Sequence, residues 1–263
     1  MKKTLTLLTV CSLVMALLVG CGAKEDKYDT VMENKVLTVG LSADYPPFEF
    51  IKVIDGEEKI VGYDVMILEE VAKDLDVTLK IENMGFDALI TALSSGKVDM
   101  LMSGLDADEE REKVMLFSDE YFKAEAGVLV RAEDADKYTS PESMSGLTVG
   151  VQKGSTFEQV ANQIPESKQE LLGKVNDLVL ALETGRVDAV LAEMPVVKAY
   201  AANNANVAVA SVELEAASEG YVAGFSKSSV KLQEAVNQTI QRLKDEGKLD
   251  QFVAEANALA ESE

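Results

Sequence analysis

One arginine stands just beyond a short apolar run that ends at a glycine. The run 98–103 predicts a β-strand, Gly104 follows it, and 107–114 predicts a helix that carries Arg111. In open α/β sheets, ligands bind beyond the carboxyl ends of the strands, and a guanidinium matches the two oxygens of a carboxylate. Arg111 is therefore a candidate carboxylate-binding residue. The other interpretation is an ion pair on a solvated helix with an acidic neighbour: Asp108, Glu109, Glu110 or Glu112.

The residue types that are missing exclude several kinds of chemistry. The 263 residues include no histidine, which removes a Ser-His-Asp or Cys-His centre and the commonest zinc ligand. The acidic run 106–112 lacks the ligand spacing and the glycine of an EF-hand loop, so we interpret it as a solvated helix start. We expect no catalytic residue, no metal and no cofactor.

The net charge is strongly negative. It is −21 for the whole chain, and it becomes −23 without Lys2 and Lys3, the two charged residues among the first twenty. Such acidity argues against nucleic-acid binding and favours solubility of an exported protein.

The N-terminal residues have the pattern of an export signal. Lys2 and Lys3 precede the apolar run 5–18, and Leu-Val-Gly-Cys at 18–21 matches a lipobox. We predict a signal peptide at 1–20, a lipid anchor on Cys21, and a flexible tether over 21–34. The protein would then lie on the extracytoplasmic face of a cell membrane, as a Gram-positive-type lipoprotein. A transmembrane anchor is the alternative, although the apolar run is shorter than the ~20 residues that span a bilayer.

Strand-like and helix-like runs alternate in two series. The predicted helix 63–75 places five apolar residues on one face, which indicates core: Val65, Leu68, Val71, Ala72 and Leu75. A second series with the same rhythm occupies 147–202, and the extended runs 127–131 and 221–225 predict chain crossings. The sequence therefore predicts an α/β protein of two lobes.

Several short motifs occur together in one order. They are Tyr45-Pro46-Pro47-Phe48-Glu49, Gly62-Tyr63-Asp64-Val65, the set Ser103, Gly104, Arg111, Phe117, Ser118 and Tyr121, then 150–156 (GVQKGST) and 185–190 (GRVDAV). This order resembles family 3 of the bacterial solute-binding proteins, the amino-acid receptors of ABC importers, over residues 37–252. The resemblance implies a periplasmic-binding-protein-like type II fold, with a ligand cleft between lobe 1 (35–128 and 222–263) and lobe 2 (129–221).

The resemblance also implies which residues bind the two charges of an amino acid. Arg111 would hold the α-carboxylate, helped by backbone N–H groups of Ser155 and Thr156 at the start of a helix. Glu193 stands where the family has an aspartate for the α-ammonium, and its extra methylene is a departure from the pattern. The carbonyl of Gly104 and the carboxylate of Asp106 are further acceptors.

The ligand side chain would lie among Tyr45, Phe86 and Gln152. The motifs resemble the arginine-binding branch most closely, and two aromatic rings could sandwich a guanidinium. Ser42 stands where some cation-binding members carry an acid, although Asp44 or Asp87 could approach the distal cation. Arginine is therefore the first expectation, followed by lysine, histidine and glutamine.

Other functions of the same fold stay open from the sequence. A dehydratase-like enzyme is one, with Glu193 or Asp106 as general acid or base, and a ligand sensor for a signalling partner is another. For the receptor, the expected partners are a free amino acid, an ABC transporter permease and the membrane through Cys21, with the protein itself a monomer.

Overall fold

The computed structural model describes residues 26–123 and 125–261. The predicted signal peptide, Cys21 and the first residues of the predicted tether lie outside the described residues. The β-strands, in chain order, are β1 (Val36–Leu41), β2 (Asp44–Tyr45), β3 (Glu49–Ile54), β4 (Glu57–Val61), β5 (Thr78–Asn83), β6 (Met100–Leu101), β7 (Met115–Phe117), β8 (Phe122–Lys123), β9 (Ala126–Arg131), β10 (Thr148–Gln152), β11 (Lys168–Leu172), β12 (Ala189–Glu193), β13 (Val207–Val209), β14 (Gly220–Tyr221) and β15 (Gly224–Ser226).

The α-helices, in chain order, are α1 (Lys27–Asn34), α2 (Tyr63–Asp74), α3 (Phe86–Ser94), α4 (Glu109–Glu112), α5 (Phe157–Val160), α6 (Val175–Glu183), α7 (Met194–Asn203), α8 (Val230–Asp245) and α9 (Lys248–Glu261). Short 3-10 helices lie at 132–137, 141–144 and 161–163. Within the described residues, no helix has the length and hydropathy that crossing a membrane requires.

Lobe 1 is built on a sheet with the strand order β5-β1-β6-β15-β7. Strand β1 is parallel to β5 and β6, whereas β15 is antiparallel to β6 and β7. Successive side chains of a strand point to opposite faces, and Met100 and Leu101 accordingly join apolar clusters on the two sides of the sheet. Helices therefore cover both faces, and the predicted core face of α2 is buried as expected.

Lobe 2 repeats the plan with the strand order β11-β10-β12-β9-β13. Strand β10 is parallel to β11 and β12, and β9 is antiparallel to β12 and β13. The carboxyl ends of β10 and β12 lie side by side at the edge from which Gln152 and Glu193 emerge. This edge is where a ligand-binding group of a parallel sheet is expected.

Two chain crossings connect the lobes and pair with each other. Strands β8 and β14 form a two-stranded antiparallel ribbon in which Phe122 faces Tyr221. Strand β9 belongs to the second sheet from its first residue, Ala126, which pairs with Glu193. The first crossing therefore lies ahead of residue 126 rather than at the predicted 127–131, and the predicted lobe boundary after residue 128 falls inside β9.

The last part of the predicted tether is an ordered helix of lobe 1. Asp26 caps helix α1: its Oδ1 accepts the Tyr28 N–H at 3.0 Å, and its Oδ2 accepts the Lys231 N–H at 2.7 Å. Val31 is fully buried in the lobe 1 core, and Lys27 forms an ion pair with Asp99 at 3.2 Å. Residues 27–34 are thus not a flexible tether, because docking onto α8 and β1 fixes them.

Candidate functional site

Arg111 is held in place by the residue that caps its helix. Asp108 caps α4, with its Oδ1 accepting the N–H groups of Glu110 at 2.9 Å and Arg111 at 2.8 Å. Its Oδ2 lies 3.1 Å from the Arg111 Nε. The ion pair proposed as the alternative therefore exists. It does not lie on a solvated face, however, because the Arg111 side chain is only 6% exposed.

The guanidinium of Arg111 reaches from lobe 1 to lobe 2. Its Nη1 donates to the backbone oxygen of Asp106 at 2.7 Å, and its Nη2 donates to the backbone oxygen of Gly154 at 2.8 Å. Each terminal nitrogen carries a second N–H. The group is thus fixed between the lobes with donors left for an anion.

Asp106 also joins the two lobes. Its Oδ2 accepts the Thr156 hydroxyl at 2.6 Å, and its Oδ1 accepts the hydroxyl of Ser218, which lies just ahead of β14. The backbone of Asp106 forms a bridge with Tyr221. Burial raises the pKa of Asp106, and the two hydroxyl groups oppose that effect. Asp106 is therefore a buried carboxylate at the lobe interface.

Glu193 is a second buried acid, on the lobe 2 side of the cleft. It ends β12, is 2% exposed, and accepts the backbone N–H of Glu125 on Oε2 at 2.7 Å. Burial raises the pKa of Glu193 to about 8, and the negative charge of Asp106 contributes to the rise. Such a carboxylate is stabilised in its ionised form by a nearby cation.

Two tyrosines pack around Gly104 in the cleft. The Tyr45 hydroxyl accepts the Glu193 N–H at 3.2 Å and the Tyr221 hydroxyl at 3.4 Å. Gly104 has φ +51°, and a Cβ there would lie 3.0 Å from the Tyr45 ring and 3.2 Å from the Tyr221 ring. Only glycine suits both the backbone conformation and the space. Tyr221 was not predicted as a site residue, although the predicted chain crossing at 221–225 begins with it.

The remaining predicted site residues lie at the same interface but have other partners. Phe86 packs on the protein's own guanidinium, with the Arg111 Cζ 5.7 Å from its ring centre. Gln152 is buried, and its Nε2 is 3.5 Å from the Gly173 oxygen. The Ser155 N–H donates to the Gln152 oxygen at 3.1 Å, so it is not a free donor here. Thr156 contributes its hydroxyl, to Asp106.

Asp44 and Asp87, the two acids considered for a distal cation, have hydrogen-bond or ion-pair partners in lobe 2. The Asp44 Oδ2 accepts the N–H of Val175, the first residue of α6, and the Asp44 backbone oxygen accepts the Tyr200 hydroxyl at 2.8 Å. Asp87 forms an ion pair with Lys153 at 3.0 Å. The lobes are therefore in contact along the cleft, in a closed arrangement.

Known proteins with related sequences and structures share this architecture. The model of the family described as bacterial extracellular solute-binding proteins, family 3, matches residues 37–255. The arginine-binding extracellular protein ArtP of Bacillus subtilis is 32% identical over 256 residues, which are 96% of this chain and 96% of that protein. A probable histidine-binding protein of Campylobacter jejuni is 28% identical over 256 residues, covering 96% of this chain and 98% of that protein.

Among solved structures, the amino acid ABC transporter substrate-binding protein AbpA from Streptococcus pneumoniae, bound to L-arginine, is similar with a TM-score of 0.85. It is 34% identical, and the match covers 89% of this chain and 100% of that one. The predicted fold of two α/β lobes is thereby confirmed.

Proposed function

We propose that this chain, which belongs to the bacterial extracellular solute-binding proteins, family 3, captures a free amino acid between its lobes for an ABC importer. The observation that carries the proposal is the charge of the closed cleft. The charges of Arg111 and Asp108 cancel in their ion pair. Among the described residues, Asp106 and Glu193 then remain as two buried acids without a cationic partner of their own. A ligand ammonium would pair with one of these two acids, and the ligand carboxylate would take the second N–H groups of Arg111.

A cationic side chain fits this charge balance better than a neutral one. A neutral amino acid brings one positive and one negative charge, so it leaves the excess of acid unchanged, whereas arginine or lysine reduces it. The B. subtilis and S. pneumoniae relatives are described as arginine-binding or arginine-bound, and arginine is accordingly our first candidate. Lysine and histidine come next, and glutamine last.

Isothermal calorimetry of the purified protein with the twenty standard amino acids tests the proposal. We expect L-arginine to bind in the micromolar range or tighter, with lysine and histidine weaker. If none of the twenty amino acids binds with a Kd below about 1 mM, which corresponds to a binding free energy of about −4.1 kcal/mol, the proposed function is wrong.

One observation is compatible with an enzymatic function. A buried carboxyl whose pKa is near 8, such as that of Glu193, is a suitable general acid at neutral pH. Because family members are solute-binding proteins, we propose reversible capture instead of turnover. Elimination of water from a prephenate-like substrate by the purified protein would favour the dehydratase.

Closure is expected to depend on Asp44. This lobe 1 acid caps α6 of lobe 2, whose own N-cap residue, Lys174, gives no side-chain cap. Loss of a helix cap costs about 1 kcal/mol, so Asp44→Ala should open the free protein and weaken L-arginine binding by about fivefold. Small-angle scattering and calorimetry measure the two effects. Asp87→Ala is the matched control, because its ion pair with Lys153 is half-exposed and should contribute little. If Asp44→Ala and Asp87→Ala show the same scattering and the same affinity, the capping role of Asp44 in closure is wrong.

We also propose that the mature protein is anchored by acyl chains on Cys21 and delivers its ligand to a separate permease. The lipobox at 18–21 supports the anchor. Cys21→Ser should shift the protein from the membrane fraction to the soluble fraction of the producing cells, as immunoblotting would measure. A membrane-bound Cys21→Ser variant would instead indicate that the apolar run 5–18 itself is the anchor.

A further inference from the structure

Two acidic residues are fully buried behind the cleft, outside the set that faces the ligand. Glu49 lies on β3 and Asp64 on α2, and both have 0% exposure. They belong to the motifs at 45–49 and 62–65, whose acids have no part in the proposed contacts with an amino acid. A buried acid is costly unless its oxygens find donors.

Both acids hold the segment that carries Gly104. The Glu49 Oε1 accepts the Ser103 hydroxyl at 2.6 Å, and that hydroxyl oxygen accepts the Ser42 N–H at 2.9 Å. The Asp64 Oδ2 accepts the Gly104 N–H at 3.1 Å and the Tyr121 hydroxyl at 2.9 Å. The two carboxyl groups therefore fix neighbouring residues at the end of β6.

The other oxygen of each carboxyl group has no such donor. Among the described residues, Glu49 Oε2 and Asp64 Oδ1 are the buried side-chain polar atoms without a hydrogen-bond partner when both acids are ionised. The two carboxyl groups lie within hydrogen-bonding reach of each other. A single proton between them would satisfy both oxygens at once and remove the repulsion of two buried charges.

The contacts indicate which acid carries that proton. Asp64 accepts two donors from Gly104 and Tyr121, which stabilise its ionised form, whereas Glu49 accepts only the Ser103 hydroxyl. Burial and the charge of Asp64 raise the pKa of Glu49 well above its usual range. Burial raises the pKa of Asp64 only to about 6.

We propose that Glu49 and Asp64 share one proton and act as a single positioning unit, which fixes Ser103 and Gly104 against the two tyrosines of the cleft. Tyr45 and Glu49 face each other in the β2–β3 ladder, so one hairpin supplies both the cleft ring and the support behind it. The part of this inference that concerns ligand affinity rests on the proposed function. The shared proton does not.

Infrared spectroscopy tests the proton directly. In the difference spectrum between the wild type and Glu49→Gln at pH 7, we expect the carbonyl band of a neutral carboxylic acid to be lost with Glu49. Loss of an ionised carboxylate band instead would overturn the shared proton. This result does not depend on any ligand, and it therefore separates a failure of this inference from a failure of the proposed function.

Calorimetry with L-arginine tests the positioning role. The amide of Glu49→Gln can accept from Ser103 and donate to Asp64, so its affinity should stay within about threefold of the wild type. Glu49→Ala removes both contacts and should weaken binding at least tenfold while the protein is still folded by circular dichroism. Thr239→Val is the control, since Thr239 is buried and its hydroxyl donates to Asp74, outside the contacts described for Ser103 and Gly104. It should lower the melting temperature without changing affinity.

Two outcomes would overturn the positioning role. One is an affinity of Glu49→Ala equal to that of the wild type, and the other is a loss in Glu49→Gln as large as that in Glu49→Ala. If Glu49→Ala does not fold, the infrared result and the affinity of Glu49→Gln still decide the inference.

Discussion

Replacing Arg111 with alanine is expected to weaken L-arginine binding by at least about 100-fold, or roughly 3 kcal/mol. The substitution removes the proposed partner of a desolvated carboxylate. It also removes the hydrogen bond from lobe 1 to the Gly154 oxygen of lobe 2, which favours the closed arrangement. Titration calorimetry measures the loss directly, and competition titration extends it to weak binding.

Three comparisons separate this effect from a general loss of charge or stability. Arg186→Ala removes an exposed arginine that pairs with Glu170, and its affinity should match the wild type. Arg111→Lys keeps the charge but not the planar fork, so it should recover only part of the binding. Agmatine, which is arginine without its carboxylate, should lose much less affinity in Arg111→Ala than L-arginine does, because only the contribution of the Gly154 hydrogen bond to closure is lost. A loss below about fivefold in Arg111→Ala would mean that another group holds the carboxylate.

Glu193→Gln is expected to weaken L-arginine binding by roughly 10- to 100-fold and to remove most of its pH dependence. In the ligand-free closed form the pKa of Glu193 is raised to about 8, so the group is largely protonated at pH 7. A bound ammonium favours the ionised carboxylate, and binding must then release a proton. Affinity in the wild type should therefore rise between pH 6 and 8, and the rise should level off once Glu193 is ionised without ligand.

Calorimetry in two buffers with different ionisation enthalpies counts the released protons. The wild type should release close to one proton at pH 7, and Glu193→Gln close to none. Glu183→Gln is a suitable control, because Glu183 is exposed and bonds only to Asn204 and Asn206 among the contacts described. Proton release that is unchanged in Glu193→Gln would assign the ammonium to Asp106 or to another acid.

Local pattern was sufficient for the regular elements of the core. The predicted helix 63–75 corresponds to Tyr63–Asp74, because it carries an apolar stripe at helical spacing. The turn between β3 and β4 also has a sequence signal, although no hairpin was predicted there. Asp55-Gly56, with φ of 56° and 81°, joins β3 and β4 and is a typical hairpin turn in sequence.

Other features depend on contacts between distant residues and could not be predicted locally. Helix α1 has few apolar residues, and its order comes from Val31 in the core and from Lys231 at its start. Asp44 caps a helix that begins 131 residues later in the chain. The packing of Tyr221 against Gly104 also depends on residues that are distant in the sequence. So does the packing of the Phe86 ring on Arg111, whereas the sequence predicted that Phe86 lies around the ligand.

A crystal structure of the protein with bound L-arginine tests the central claim most directly. We predict the ligand carboxylate within about 3 Å of the Arg111 Nη atoms, and the ammonium within about 3 Å of a carboxylate oxygen of Asp106 or Glu193. The lobes should remain in contact through Asp44 and α6. A ligand bound elsewhere, or one with its carboxylate away from Arg111 and its ammonium away from both acids, would contradict the account.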